Sequence, residues 1–278
     1  VPAPITSYAN FEMTNAFYGD FDGDGVGDVS FGQSEDGVDF AYDADVIYHE
    51  FGHAIVAAST DLGYLGADEY GMDWTPGGLN EGTADVFAML LTGDGQMAEY
   101  AGSFGGRTDP IRDLDPDQRC PDDIRGEVHA DGEIWGAMFW NLQEQLGAEL
   151  TAELLWGAIT TWTGEVTWPV AGESVLEAAD ALADAGLLDG AGLAVVQQEV
   201  AAANLTDCEA RIIPLDAGEP ISQYLINAGL DGDYALIPLS VQFSLGVPSR
   251  GGDVHFVVEG LESSEPDLAW TLFARRGA

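Results

Sequence analysis

His49-Glu50-Phe51-Gly52-His53 places two imidazoles four residues apart, with a carboxylate directly after the first. On a helix, side chains at i and i+4 lie on one face, about 5–6 Å apart at Cβ. Both rings can then reach one zinc ion, and Glu50 stands beside the open coordination position, where it can take a proton from water. The chain has four histidines in all, and this stretch uses two of them. A zinc ion on two histidines needs a third protein ligand, with a fourth position left open, before it can act as a catalyst. Asn80-Glu81-Gly82-Thr83-Ala84-Asp85 supplies one, because Glu81 and Asp85 share a face of a helix. Glu81 could ligate the metal, while Asp85, one turn later, could accept the spare N–H of His49 or His53 and so settle that ring's tautomer. The same two acids could also serve only as favourable charges near a helix start.

A second group of acids points to a different cation. Asp20, Asp22, Asp24 and Asp28 fall at positions 1, 3, 5 and 9 of a D-x-D-x-D-G-x-x-D loop, with Gly25 at the sharp turn and Val26 offering its backbone carbonyl at position 7. Phe31 stands at position 12, where an EF-hand carries glutamate, and residues 29–32 look like a strand. The expectation is a calcium-pinned hairpin; the plainer counterpart is an acidic, solvated turn.

These side chains need elements to hold them. From Asp43 to about Ser59, Val46, Ile47, Phe51, Ala54, Ile55 and Ala58 recur at helical spacing, with the metal motif in the middle. A Gly- and Asp-rich loop over 61–78 leads to a second helix over 79–91, with Val86, Phe87, Met89 and Leu90 as core residues. Residues 92–126 form a long irregular region, and such regions inside a compact domain usually carry function. A third helix starts near Glu127 and carries Ile134, Trp135, Met138, Phe139 and Leu142 on one stripe. Helical patterns over 148–161, 173–185 and 192–204 predict an α-helical lobe behind the site. After Cys208 the texture turns β-rich, with Gly, Pro and Asp turns, which predicts a small antiparallel module. His255 falls in one of its strands and is expected to be structural.

Composition bounds the partners. Eight basic residues, none of them lysine, stand against 49 acidic ones, for a formal charge of −41. Such a surface repels nucleic acid and anionic membranes. It suits saline surroundings, where salt screens self-repulsion, and it suits calcium-binding loops. No apolar run is long enough to span a bilayer. Cys120 and Cys208 are expected to form one disulfide, as in a secreted protein; two buried free thiols are the other possibility.

H-E-x-x-H followed about thirty residues later by N-E-G-x-x-D resembles the gluzincin metallopeptidases, specifically the thermolysin-like and fungalysin-like enzymes, of which this would be a secreted bacterial member. Asn15-Ala16-Phe17-Tyr18 is similar to the edge strand with which those enzymes hold an extended substrate, through the asparagine and the backbone. Tyr64, fifteen residues after His49, has the spacing of their oxyanion-stabilising tyrosine. Pro110-Ile111-Arg112-Asp113-Leu114 resembles the segment whose arginine contacts a substrate carbonyl, and Glu127-Val128-His129 the segment whose histidine stabilises the tetrahedral intermediate. The resemblance covers roughly residues 13–145, with its segments in order. It implies zinc on His49, His53 and Glu81, Glu50 as general base, His129 and Tyr64 at the oxyanion, and Val46 and Ile111 lining the pocket just after the cleaved bond.

Departures accompany it. Only fourteen residues precede Asn15, where the family carries a β-rich lobe, and the Asp-rich loop is an insertion in the edge hairpin. No aspartate stands where the family pairs its active-site histidine, and Asp123 is only a loose counterpart. The expected architecture is α+β: a thermolysin-like catalytic domain over 1–206, made of the edge hairpin, the metal-motif helix and the helical lobe, and a C-terminal β module over 207–278. The expected function is a secreted zinc endopeptidase with structural calcium. The alternative is a catalytically silent, calcium-binding adhesion or scaffold module on a peptidase fold. An aminopeptidase ranks lower, because no G-x-M-E-N-like segment precedes the motif to anchor a free amine.

Overall fold

Asp43 starts the metal-motif helix. Its backbone is extended, and its Oδ1 accepts the Asp45 N–H at 3.0 Å, so that α1 (Ala44–Ser59) begins on a capped turn with Asp45 facing the positive end of the helix dipole. In the computed structural model, which describes residues 4–21, 23–60, 62–68, 71–164, 166–208, 212–215 and 241–246, both acids also reach across to another segment. Asp43 Oδ2 accepts the Ala101 N–H at 2.7 Å and Asp45 Oδ2 the Ala98 N–H at 3.0 Å, which ties the start of α1 to the 98–101 turn.

The buried side of α1 differs from the expected one. Val46 and Ala54 are inside, together with His49, Glu50 and Gly52, whereas Ile47 and Phe51 stand 38% and 46% exposed. The periodicity contained two stripes, and the one that packs inward carries the chemistry. It faces α2 (Thr75–Thr92), which starts four residues earlier than the periodicity indicated, with Pro76 in its first turn. Leu79, Ala84, Val86, Ala88 and Met89 of α2 are fully buried, because α2 runs between α1 and α3 (Val128–Leu146).

Small residues set the spacing of these three helices. A Cβ on Gly52 of α1 would stand 2.8 Å from Ala84 Cα of α2. A Cβ on Gly82 of α2 would stand 2.4 Å from the Gly132 carbonyl oxygen of α3. At both crossings the backbones approach as closely as they do only because a side chain is missing.

The helical lobe continues as expected, with α4 (Ala148–Ile159), α5 (Trp168–Asp184) and α6 (Gly190–Ala202). Trp135, Phe139 and Leu142 of α3 pack with Leu154, Leu155 and Ile159 of α4, Val175 of α5 and Val196 of α6 in the main core. Each such side chain contributes roughly 1.5–3 kcal/mol by leaving water. Cys120 and Cys208 are disulfide-bonded across 88 residues, which fastens the segment before α3 to the end of α6.

In front of the helices, β1 (Ser7–Glu12), β2 (Ala16–Gly19) and β3 (Asp28–Gln33) form a sheet in the order β1-β3-β2. β2 pairs antiparallel with β3, Ala16 opposite Phe31 and Gly19 opposite Asp28, so the Asp-rich loop is the hairpin connection and β2 is an edge strand. β1 lies parallel to β3 on the other side. Ala16, Val29 and Phe31 pack with Phe40, Val46, Ala98 and Ala101 in a second, smaller core under the start of α1. The hairpin β4 (Gly66–Asp68) and β5 (Gly71–Asp73) precedes α2, and β6 (Gln96–Met97) pairs with β7 (Arg112–Asp113) within the region expected to be irregular.

The fold of the described residues is mixed α and β. Its C-terminal part departs from expectation: β8 (Ile212–Leu215) and β9 (Gln242–Leu245) pair in parallel, where an antiparallel module was expected. Ile213 and Val241 pack in the main core. The rest of the expected module, His255 included, lies outside the described residues. Among the described residues no helix is long and apolar enough to cross a membrane.

Candidate metal centre

One turn of α1 separates His49 from His53, and their rings meet edge to face with centroids 4.6 Å apart. Each ring is held by its Nδ1. His49 Nδ1 lies 2.7 Å from Asp85 Oδ1, and His53 Nδ1 lies 2.6 Å from Asn80 Oδ1. With each Nδ1–H directed at an oxygen, both Nε2 atoms carry lone pairs. These lone pairs converge: the two Nε2 atoms are 3.1 Å apart, and Glu81 Oε2 lies 3.1 Å from that of His49 and 3.6 Å from that of His53. Glu81 Oε2 is buried and accepts no hydrogen bond. Three electron-pair donors packed so closely repel one another unless positive charge sits among them.

The surroundings favour such charge. Burial pulls the His49 imidazole down, but the charge and hydrogen bond of Asp85 and the neighbouring Glu81 carboxylate outweigh it and push its pKa up to about 10. Burial would raise the Glu81 carboxyl, yet the neighbouring His53, His49 and His129 hold it well below the usual range. His49, His53 and Glu81 are the one set of three such side chains whose ligand atoms converge among the described residues, and two nitrogens with one carboxylate oxygen suit a divalent transition metal. A pocket of this make-up fits zinc.

Glu50 lies on the inward side of α1 beside the two histidines, 5% exposed, with Oε2 buried and unpartnered. Burial raises its pKa against the opposing charges of His49 and His53. Asp85, within reach of either histidine by spacing, serves His49 alone. It is also gripped by Arg112, whose Nε donates to Oδ2 at 2.7 Å and Nη2 to Oδ1 at 2.6 Å. Burial raises the Asp85 carboxyl, but Arg112 and His49 more than reverse it and keep it ionised. The guanidinium expected on a substrate carbonyl thus also braces Asp85.

His129, on the first turn of α3, brings Nε2 to 3.4 Å from Glu81 Oε2 but stays outside the convergent set. The Gly82–Gly132 crossing is what brings α3 this near. His129 Nδ1 lies 2.7 Å from Glu127 Oε1. Asp123, the loose counterpart considered from the sequence, accepts the Arg119 N–H instead. Glu127 had no visible signal, because residues two apart on a helix do not face each other. It escapes that limit by being the N-cap of α3, with extended backbone, its other oxygen accepting the Ala130 N–H at 3.0 Å. Asn80 was likewise missed, although it directly precedes Glu81.

Tyr64 donates its hydroxyl to Glu81 Oε1 at 2.5 Å. Val46 and Ile111 pack in the same small core. Ala16 also points into that core, while Asn15 is exposed and its carbonyl accepts the Gly32 N–H at 2.9 Å.

The Asp-rich loop is organised around Asp20, whose oxygens accept the Gly23 N–H at 2.7 Å and the Gly25 N–H at 3.0 Å. Asp24 accepts the Val26 N–H at 2.8 Å. Asp28 turns away to the Thr6 N–H at 2.9 Å, leaving Oδ2 buried. Asp22 lies outside the described residues. The carboxylates of Asp20, Asp24 and Asp28 do not converge as the histidine site does.

Compared with models of protein families the chain matches none, and no curated protein matches it.

Proposed function

We propose that this chain is a secreted, zinc-dependent endopeptidase with a thermolysin-like catalytic domain. The observation that carries the proposal is the convergence of His49 Nε2, His53 Nε2 and Glu81 Oε2 beside the buried, unpartnered Glu50 Oε2. His49, His53 and Glu81 would hold the zinc, which when bound would lower the pKa of water toward about 7 and polarise a carbonyl. Glu50 accepts the proton of the attacking water and passes it to the leaving amine. Burial raises its pKa above the ordinary glutamate value, which makes it a stronger base for this exchange. His129, protonated on Nε2 and held through Nδ1 by Glu127, donates to the developing oxyanion. Burial lowers the His129 pKa, and the hydrogen bond that Glu127 accepts from it, with the charge of Glu81, raises it on balance, which favours the donor form. β2 offers an edge for an extended peptide, and Val46 with Ile111 supports a preference for a bulky apolar residue after the cleaved bond. Calcium on the loop of Asp20, Asp22, Asp24, Val26 and Asp28 belongs to the same proposal, as does secretion, with which the disulfide is compatible.

Glu50→Gln tests the chemistry. It should retain zinc by metal analysis and lose nearly all peptide hydrolysis; a fully active variant would sink the mechanism. Casein zymography with and without chelator separates this proposal from the silent adhesion or scaffold module, which would give no clearing in either lane.

A further inference from the structure

Glu81 presents two oxygens, and its neighbours treat them differently. Oε2 faces His49, His53 and His129 at 3.1, 3.6 and 3.4 Å and accepts no hydrogen bond. Oε1 accepts the Tyr64 hydroxyl at 2.5 Å. A carboxylate left to itself can take a divalent ion through one oxygen or through both, and swings about its last torsion between the two. We propose that Tyr64 is a positioning residue for the metal: by occupying Glu81 Oε1 it makes Glu81 a one-oxygen ligand and sets the metal affinity of the site. This rests on His49, His53 and Glu81 being the metal's ligands.

A further observation supports it. The Tyr64 backbone is packed against the start of the helix that carries Glu81, since a Cβ on Gly77 would stand 2.6 Å from the Tyr64 carbonyl oxygen. Donor and acceptor therefore belong to one packed unit, and the hydroxyl is aimed at Oε1 by backbone contact as well as by its own bond. The role differs from an oxyanion donor. A hydroxyl committed to Glu81 acts on the metal whether or not substrate is present.

Tyr64→Phe separates the two roles. Zinc affinity, measured by competition with a chromogenic chelator, should fall about ten- to hundredfold, as is usual when a partner of a metal ligand is removed. The melting temperature of the chelator-stripped variant should match stripped wild type, and only the zinc-loaded melt should drop. Cobalt(II) serves as a spectroscopic check: its visible bands should change between wild type and Tyr64→Phe, as freeing Oε1 alters the coordination. Wild-type-like affinity and an unchanged cobalt spectrum in a folded Tyr64→Phe would overturn the inference while leaving the metal site standing. A wild-type chain that fails to bind zinc would overturn both.

Discussion

Gly52 sits inside the metal motif but has no side chain to offer a ligand atom, and Gly52→Ala should show why it is there. The new Cβ would lie 2.8 Å from Ala84 Cα and 3.1 Å from its carbonyl oxygen. Ordinary contact needs roughly 0.6 Å more, and neither neighbour is a flexible side-chain tip, so α1 and α2 must part. The two histidines are on α1 and Glu81 is on α2. Metal sites tolerate ligand displacements of only about 0.2 Å. Zinc affinity should therefore fall about ten- to hundredfold, or 1.4–2.8 kcal/mol. Stability of the metal-free protein should change less, because overpacking costs about 1–3 kcal/mol while alanine in place of glycine favours the helix by about 1 kcal/mol. Gly82→Ala is the matched control. Its Cβ would meet the Gly132 carbonyl oxygen at 2.4 Å and push α3 from α2 by about 1 Å, moving His129 while α1 and α2, which carry His49, His53 and Glu81, keep their spacing. Zinc affinity should then stay within about threefold of wild type, while kcat/KM drops about a hundredfold, the cost of a misplacement of this size. The assay is chelator-competition titration beside peptide cleavage on both variants. If Gly52→Ala folds and binds zinc as tightly as wild type, helix spacing does not control the site and the reasoning fails.

Further tests follow from other parts of the chain. Burial raises the Asp131 carboxyl to about 7 despite the N–H bonds from Arg125 and Gly126. The folded pKa exceeds the ordinary 3.8, so the contribution is fully present below about pH 4 and is lost as pH rises through 7. Relative to Asp131→Asn, wild-type stability by urea melts should fall by up to about 4 kcal/mol between pH 4 and pH 8; a pH-independent difference would refute it. Replacing Cys120 and Cys208 by serine opens a loop spanning 88 residues and should cost about 4–5 kcal/mol, read as a lowered denaturant midpoint. Removing calcium while zinc is kept saturating should lower the melting temperature, and no shift would count against the loop at Asp20–Asp28.

Much of the site was legible because helix geometry is local. Once 44–59 and 75–92 are helical, the spacing of His49 to His53 and of Glu81 to Asp85 puts each pair on one face whatever else the chain does. The edge hairpin was legible for a similar reason, since the Asp-rich loop residues and the strand-like residues 29–32 after them act within twenty positions. Which stripe of α1 turns inward was not. Ile47 and Phe51 are as apolar as Val46 and Ala54, and only the fit of Gly52 against Ala84 favours the side that carries His49 and Glu50. The partner of His129 was hidden because Glu127 owes its reach to a cap conformation, and the parallel pairing of β8 with β9 because strand direction depends on the path of the intervening chain. By itself, then, the sequence determined the donor atoms and their order along two helices. The tertiary structure alone decided the distance between those helices, through close contacts at Gly52–Ala84 and Gly82–Gly132 between residues remote in the chain. Whether three lone pairs meet at one point depends on that distance, which no local periodicity encodes.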